Sequence, residues 1–296
     1  MAETVGFIGL GVMGRPMAKN LLKRGFSLVV HSRSQGPVEE LVAAGAARAG
    51  SPADVARQAT RIVTMLPNSP DVELVLEGTD GVFSAMQPRT LLIDTSSIAP
   101  AVARRLAARA QSLGAAMLDA PVSGGEIGAI SATLSIMVGG DADAFATARP
   151  ILDAMGNPER VVRIGPSGSG QICKVCNQMV IGGALTAVSE AFTLARKAGV
   201  DPARVRDALL GGFAASRVLD VHGERILQSN YKPGFRANLF AKDMRIARDT
   251  IAECESPASA SAVVQQLVET LVADGRGEDD YAALATVLYR MAGLDD

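Results

Sequence analysis

Short apolar runs recur along the first half of the chain, each closed by glycines or small polar residues. VGFIGLG (5–11), FSLVVHS (26–32), RIVTMLPNS (61–69), TLLIDTSS (90–97), AAMLDAPVSGG (115–125) and ATLSIMVGGD (132–141) read as strands that run into turns. Helical stretches lie between several of them. In the first, Met13, Met17, Leu21 and Leu22 recur at helical spacing. Strands alternating with helices predict a doubly wound, mostly parallel sheet. Near Gly170 the texture changes. Residues 170–198 form one long apolar helical run that ends at Gly199, and Asp201-Pro202 opens another helix. Later segments keep the helical period. The pattern therefore predicts an α/β domain over residues 1–165 and an all-α domain over 166–296, with the long helix starting where GPSGSG ends.

Within the first strand–helix–strand unit sits Gly9-x-Gly11-x-x-Gly14. That spacing between a strand and a helix is the dinucleotide-binding pattern of Rossmann-type domains. Gly9 permits the tight turn, Gly11 lets backbone approach a pyrophosphate, and Gly14 lets helix and strand pack closely. The helix start offers N–H donors and a positive dipole end to the phosphates, so Leu10, Val12 and Met13 join the glycines as cofactor-lining positions. The end of the second strand sets the cofactor type. An acid there selects NAD, whereas an arginine suits the 2′-phosphate of NADP. This chain has Ser32 and Arg33, and no acid until Glu39. NADPH is the expected cofactor, with NADH possible. Ligands of such sheets bind beyond the carboxyl ends of the strands. Candidate lining turns are therefore Leu66-Pro67-Asn68-Ser69, Thr95-Ser96-Ser97 and Ser123-Gly124-Gly125. Each could also be a turn chosen for its backbone needs.

On the long helix, GQICKVCNQ places Lys174, Asn177 and Gln178 on one face, with Gln171 one turn earlier. A polar patch on an apolar helix at a domain boundary suits a catalytic group, or else a solvated first turn. The Cys173-x-x-Cys176 pair is read as helix packing: two histidines and a distant Cys254 do not make a metal set.

Composition narrows the classes. The 296 residues are 48% hydrophobic and 20% charged, the profile of a soluble globular protein. A net charge of −2, without basic clusters, gives no pull toward nucleic acid or anionic lipid. Three cysteines suit a reducing compartment. No basic leader precedes the first apolar run, and no run of membrane-spanning length is read from the pattern, so the cytoplasm is the expected location.

The chain resembles the β-hydroxyacid dehydrogenases over essentially its whole length. GFIGLGVMGRPMAKNLLKRG resembles their dinucleotide motif, DAPVSGGEIGA with TLSIMVGGD their substrate segment, and GQICKVCNQ their catalytic motif. The resemblance implies that Lys174 is the essential lysine and that Asn177 holds substrate or lysine. It further implies that Ser123, Gly124 and Gly125 bind the substrate carboxylate, that Thr95 or Ser96 touches the nicotinamide, and that Lys242, in FAKDM (240–244), covers the cofactor. It implies hydride transfer between nicotinamide and the carbonyl of a small oxo-acid. MLPNSPDV, IDTSSIAP, KAGVDP, GGFAASRVLDVHGER and KPGFR resemble a subgroup that reduces a 2-hydroxy-3-oxo acid. Sister enzymes of 3-hydroxyisobutyrate or four-carbon sugar acids, imine reductases and non-catalytic cofactor-binding modules share the scaffold. Ser32-Arg33 departs from family members that carry an acid for NADH. The apolar C-terminal helices predict a homodimer or homotetramer.

Overall fold

The computed structural model describes residues 4–295. The chain forms two compact units, Met1–Lys174 and Val175–Asp296.

The first unit is built on nine strands: β1 (Thr4–Ile8), β2 (Ser27–His31), β3 (Ala47–Arg48), β4 (Arg61–Thr64), β5 (Leu91–Asp94), β6 (Ala116–Asp119), β7 (Val122–Ser123), β8 (Leu134–Gly139) and β9 (Gly156–Gly165). They pair in the order β3-β2-β1-β4-β5-β6-β8-β7, with β9 on β8. From β3 to β6 every pairing is parallel. That stretch has the dinucleotide-fold strand order, whose reversal between β1 and β4 opens a ligand crevice. β8 runs antiparallel to β6 and β7.

The strands read as unbroken apolar runs because both faces of the sheet are covered. Val5, Phe7, Val30, Val63 and Ile93 join one buried cluster. Their neighbours Ile8, Val29, Ile62 and Leu92 join another. The period-2 geometry of a strand sorts them. Each fully buried residue of this size contributes about 1.5–3 kcal/mol. The covering helices are α1 (Gly14–Lys23), α2 (Gln35–Ala43), α3 (Pro52–Gln58), α4 (Ser69–Glu77), α5 (Pro100–Ser112), α6 (Gly125–Ile130) and α7 (Ala142–Met155).

The helix α8 (Ser169–Lys197) starts in the first unit and continues into the second. There it is followed by α9 (Pro202–Leu210), α10 (Arg217–Leu227), α11 (Ala237–Glu253), α12 (Ser259–Leu271) and α13 (Leu284–Met291). Leu185, Val188 and Phe192 of α8 pack with Phe240, Met244, Val264, Val268 and Leu284 into this unit's own core. Phe235, Phe240 and Tyr281 add edge-on and tilted ring contacts.

Two sequence expectations need correction. α8 is, by length and composition, long and apolar enough to cross a membrane. The interspersed lysine, asparagine and glutamines hide this from a search for unbroken apolar runs. Cys176 is exposed and not packed. It shares the outward side of α8 with Val180 and Leu194, which are 72% and 71% exposed.

Candidate active site

The glycine loop after β1 has the shape a dinucleotide requires. Gly9 has φ +97, and a Cβ there would lie 2.2 Å from the Met65 carbonyl oxygen. A Cβ on Gly14 would lie 1.9 Å from the Gly9 carbonyl oxygen. Both glycines are therefore forced by close backbone approach. Gly11 differs: nothing lies within 4 Å of where its Cβ would be. Its backbone is open, as close approach of a pyrophosphate demands. Leu10 is buried, Val12 is half exposed, and Met13 packs against the core. α1 has no capping side chain and no acid in its first turn. An anion fits that helix start. The Leu10 N–H donates to Ser32 Oγ (3.4 Å), which ties the loop to the end of β2.

Arg33 follows, with its side chain 80% exposed and a loose ion pair to Asp71 at 3.4 Å. α2 begins just beyond, again without a side-chain cap or an acid in its first turn. No acid follows β2 directly, the nearest described carboxylate being that of Asp71, and Ser32 with Arg33 fits the ribose end of a nicotinamide dinucleotide.

At the ends of β4 and β5 the polar turns are drawn inward. Asn68 Oδ1 accepts from Asp71 N–H (2.9 Å) and caps α4. Thr95 and Ser96 are buried. Thr95 Oγ1 donates to the Thr64 carbonyl (2.6 Å), and Ser96 Oγ accepts from Leu66 N–H (2.9 Å). Their hydroxyls brace the turn that carries Leu66 and Pro67, so this wall of the crevice offers mainly backbone.

Beneath it lies a carboxylate that sequence reading did not single out. Asp94, 1% exposed, accepts at Oδ1 from Thr64 Oγ1 (2.7 Å), Ser96 Oγ (2.6 Å) and Ser96 N–H (3.2 Å). Burial pushes its carboxyl up to about 6, against these three bonds, and Asp119 adds to the push. The native state thus holds a proton at pH values where the unfolded chain, with an aspartate pKa of about 3.9, has lost it. The stability so gained is full below about pH 4 and is lost as pH rises through about 6. Asp94→Asn carries no charge to desolvate. Between pH 4 and pH 7.5 the unfolding free energy of wild type should fall relative to that variant by about 2–3 kcal/mol. Denaturant titrations at the two pH values measure this, and parallel pH curves would contradict it.

Lys174 lies on the second turn of α8. Its Nζ donates to the carbonyl of Val122 on β7 (2.9 Å). Val122 directly precedes Ser123-Gly124-Gly125, so the expected catalytic lysine and the expected substrate segment meet. Gly124 and Gly125 have φ +138 and +61, and no atom lies within 4 Å of a Cβ on Gly125. Ser123 is half-buried. An ammonium, a hydroxyl and open backbone at one strand end can hold an oxo-acid.

In the second unit, Asn177 Nδ2 donates to Gln178 Oε1 (2.7 Å), and Gln178 Nε2 donates to buried Asp243 Oδ2 (2.7 Å). Lys242, half-buried, pairs with Asp243 at 2.9 Å. Asn177 and Lys242 are thus joined through Gln178 and Asp243, neither of which the sequence reading named as a site residue. An aspartate beside a lysine, with a glutamine one helix turn beyond Lys174, was the available signal.

A dinucleotide loop and a lysine on a small-acid segment define a nicotinamide-dependent enzyme of small hydroxy acids. Family models place it further. Residues 4–170 match the NAD-binding domain of 6-phosphogluconate dehydrogenase, and residues 168–288 match the NAD-binding domain of NADP-dependent 3-hydroxyisobutyrate dehydrogenase. The chain belongs to this family of 3-hydroxyacid dehydrogenases. It is 43% identical to 2-hydroxy-3-oxopropionate reductase of Escherichia coli (strain K12) over 97% of this chain and 98% of that one. It is 37% identical to the NAD-dependent L-serine dehydrogenase of Pseudomonas aeruginosa over 95% and 96%. Among solved structures, 3-hydroxyisobutyrate dehydrogenase of Mycobacterium tuberculosis with L-serine superposes with a TM-score of 0.89. It is 33% identical and covers 97% of this chain and 99% of that one.

Proposed function

We propose that this protein reduces tartronate semialdehyde (2-hydroxy-3-oxopropanoate) to D-glycerate, with NADPH as the preferred cofactor. The observation that carries this reading is the Lys174 ammonium held 2.9 Å from the Val122 carbonyl, at the head of the Ser123-Gly124-Gly125 segment. The likeness to the Escherichia coli reductase and the subgroup-like motifs favour the three-carbon substrate. NADPH, once bound, supplies the hydride. The rest of the chemistry belongs to the chain. Gly9, Gly11, Gly14 and the start of α1 hold the pyrophosphate. The Ser123 hydroxyl and the Gly124 and Gly125 N–H groups receive the substrate carboxylate. Negative charge grows on the carbonyl oxygen during reduction. Lys174 stabilises that charge and donates its proton to the oxygen from Nζ.

A sister activity is the second reading, favoured by the relatives that act on 3-hydroxyisobutyrate and L-serine. Steady-state kinetics with tartronate, methylmalonic and succinic semialdehydes, and with L-serine in the oxidative direction, separates the two. The proposal requires kcat/KM for tartronate semialdehyde to exceed the others by at least about tenfold, a difference of about 1.4 kcal/mol. A reversed ranking moves the function to the sister substrate.

Arg33 makes the cofactor preference testable on its own. Its exposed ion pair with Asp71 holds it only weakly, so little is lost on swinging to a phosphate. A hydrogen bond to a charged group is worth about 1.5–3 kcal/mol. Arg33→Ala should therefore cut kcat/KM for NADPH by about 10- to 100-fold and leave the NADH value nearly unchanged. Equal losses with both cofactors would remove Arg33 from the 2′-phosphate.

A further inference from the structure

Asp119 ends β6 and is 2% exposed. Its side chain reaches the start of α8. Gly168 N–H donates to Oδ1 (2.7 Å) and Gln171 N–H donates to Oδ2 (2.9 Å). Two orphan amide donors at the helix start are thereby satisfied by one carboxylate that lies 49 and 52 residues earlier in the chain. Gln171, 1% exposed, fastens the same turn to the loop after β5. Its Oε1 accepts from Ile98 N–H (3.1 Å), and its Nε2 donates to the Ser96 carbonyl (2.8 Å).

Glycines close the remaining freedom. A Cβ on Gly170 would lie 2.4 Å from the Met137 carbonyl oxygen and 2.5 Å from that of Asp119. A Cβ on Gly139 would lie 2.5 Å from Asp119 Oδ1 and 2.7 Å from Gly170 N. The helix start therefore sits at backbone contact with both β6 and β8. Lys174 follows Gln171 by one turn, and its Nζ returns to Val122, three residues beyond Asp119. Carboxylate, helix turn, ammonium and β7 carbonyl close a small ring.

We propose that Asp119 and Gln171 are positioning residues, which hold the first turn of α8 so that the Lys174 ammonium stands at the substrate segment. The inference rests on the reading of Lys174 as the proton donor. A buried carboxylate is costly, and burial pushes Asp119 upward against its backbone N–H bonds. A helix could be capped far more cheaply by a serine or asparagine of its own. What the aspartate supplies is two acceptors fixed to a strand. Asparagine has one acceptor oxygen in its place, so either Gly168 or Gln171 N–H would lose its partner.

The test uses the full-length enzyme with Asp119→Asn, Gln171→Met and Lys174→Ala side by side. kcat and KM for the semialdehyde are measured, together with Kd for NADPH by fluorescence. Misplacing a catalytic group by about 1 Å costs about 100-fold. Asp119→Asn and Gln171→Met should each lower kcat by about 10- to 100-fold, and Asp119→Asn should keep its Kd for NADPH within about threefold of wild type. Native kcat in both variants would overturn the proposal. So would an Asp119→Asn loss in which NADPH affinity falls in step with kcat, since that is general unfolding of the unit. If Asp119→Asn does not fold, the kcat of Gln171→Met decides. Substantial turnover by Lys174→Ala would instead sink the underlying assignment of the proton donor, a result distinguishable from failure of the brace.

Discussion

Lys174→Ala is expected to lower kcat for semialdehyde reduction by about three to four orders of magnitude, with Kd for NADPH nearly unchanged. Two effects combine. A positioned proton donor contributes about 10²–10⁴ in rate. A charge aimed at a developing oxyanion contributes through electrostatic stabilisation that substrate binding alone does not exploit. Both act in the transition state, so the loss should fall on kcat more than on KM. The lysine also spends a hydrogen bond on Val122. Alanine therefore leaves a carbonyl short of one donor, a modest cost of about 0.5–1.5 kcal/mol that stability measurements can separate from chemistry. Lys174→Arg keeps the charge, but arginine does not give up its proton in proteins. It should recover little of the rate. If arginine restores most of the activity, Lys174 acts as a fixed charge and the proton comes from elsewhere. Residual activity near wild type in the alanine variant removes the lysine from the chemistry altogether.

The parts of this molecule that were legible in the sequence are those set by local chemistry. β1, β2, β4, β5, β6 and β8 each fill the runs that hydrophobic patterning marked, because a sheet covered on both faces needs apolar residues at every position. α1 and α8 follow from periodicity, and Asp201, whose carboxylate accepts from Ala203 N–H, opens α9 as the Asp-Pro pair implied. β9 escaped because only Gly156 and Val161 of its ten residues are buried. An edge strand of that kind has no apolar run to find. β3 and β7 are two residues each, too short for any period.

The site divides in the same way. The glycine turn between β1 and α1 was readable, since its residue types and spacing carry its backbone geometry. Asp94 and Asp119 were not, although both close an apolar run, in LLID and AMLD, and stand opposite each other in the β5–β6 register. Asp119 finds its partners some fifty residues away in the chain. Thr95 and Ser96 show the converse. As polar residues after a strand they resembled ligand contacts, yet their hydroxyls turn to Thr64, Asp94 and Leu66. Polarity at a strand end signals a bonded side chain, and only the third dimension says whether the partner is the protein.

The second large effect concerns the glycine loop, where two neighbouring glycines should fail in opposite ways. Gly14→Ala would put a methyl carbon 1.9 Å from the Gly9 carbonyl oxygen, a backbone atom that cannot swing aside. α1 must move off β1, and overpacking of this kind costs about 1–3 kcal/mol or more. For a chain of this length that lowers Tm by about 2–4 °C per kcal/mol. The displaced helix start should also lose most of its hold on NADPH. Gly11→Ala meets nothing within 4 Å and needs no left-handed backbone. Its Tm should stay within about 1 °C of wild type, since an exposed substitution of this kind changes stability by at most about 0.5 kcal/mol. The same methyl group would occupy the space that the pyrophosphate needs, so Kd for NADPH should weaken by at least about tenfold, or about 1.4 kcal/mol. Thermal melts with and without NADPH read both quantities in one experiment. A Gly11→Ala protein that melts like wild type and gains as much from NADPH would mean that the phosphates do not rest on Gly11, and that the open backbone there serves something other than the cofactor.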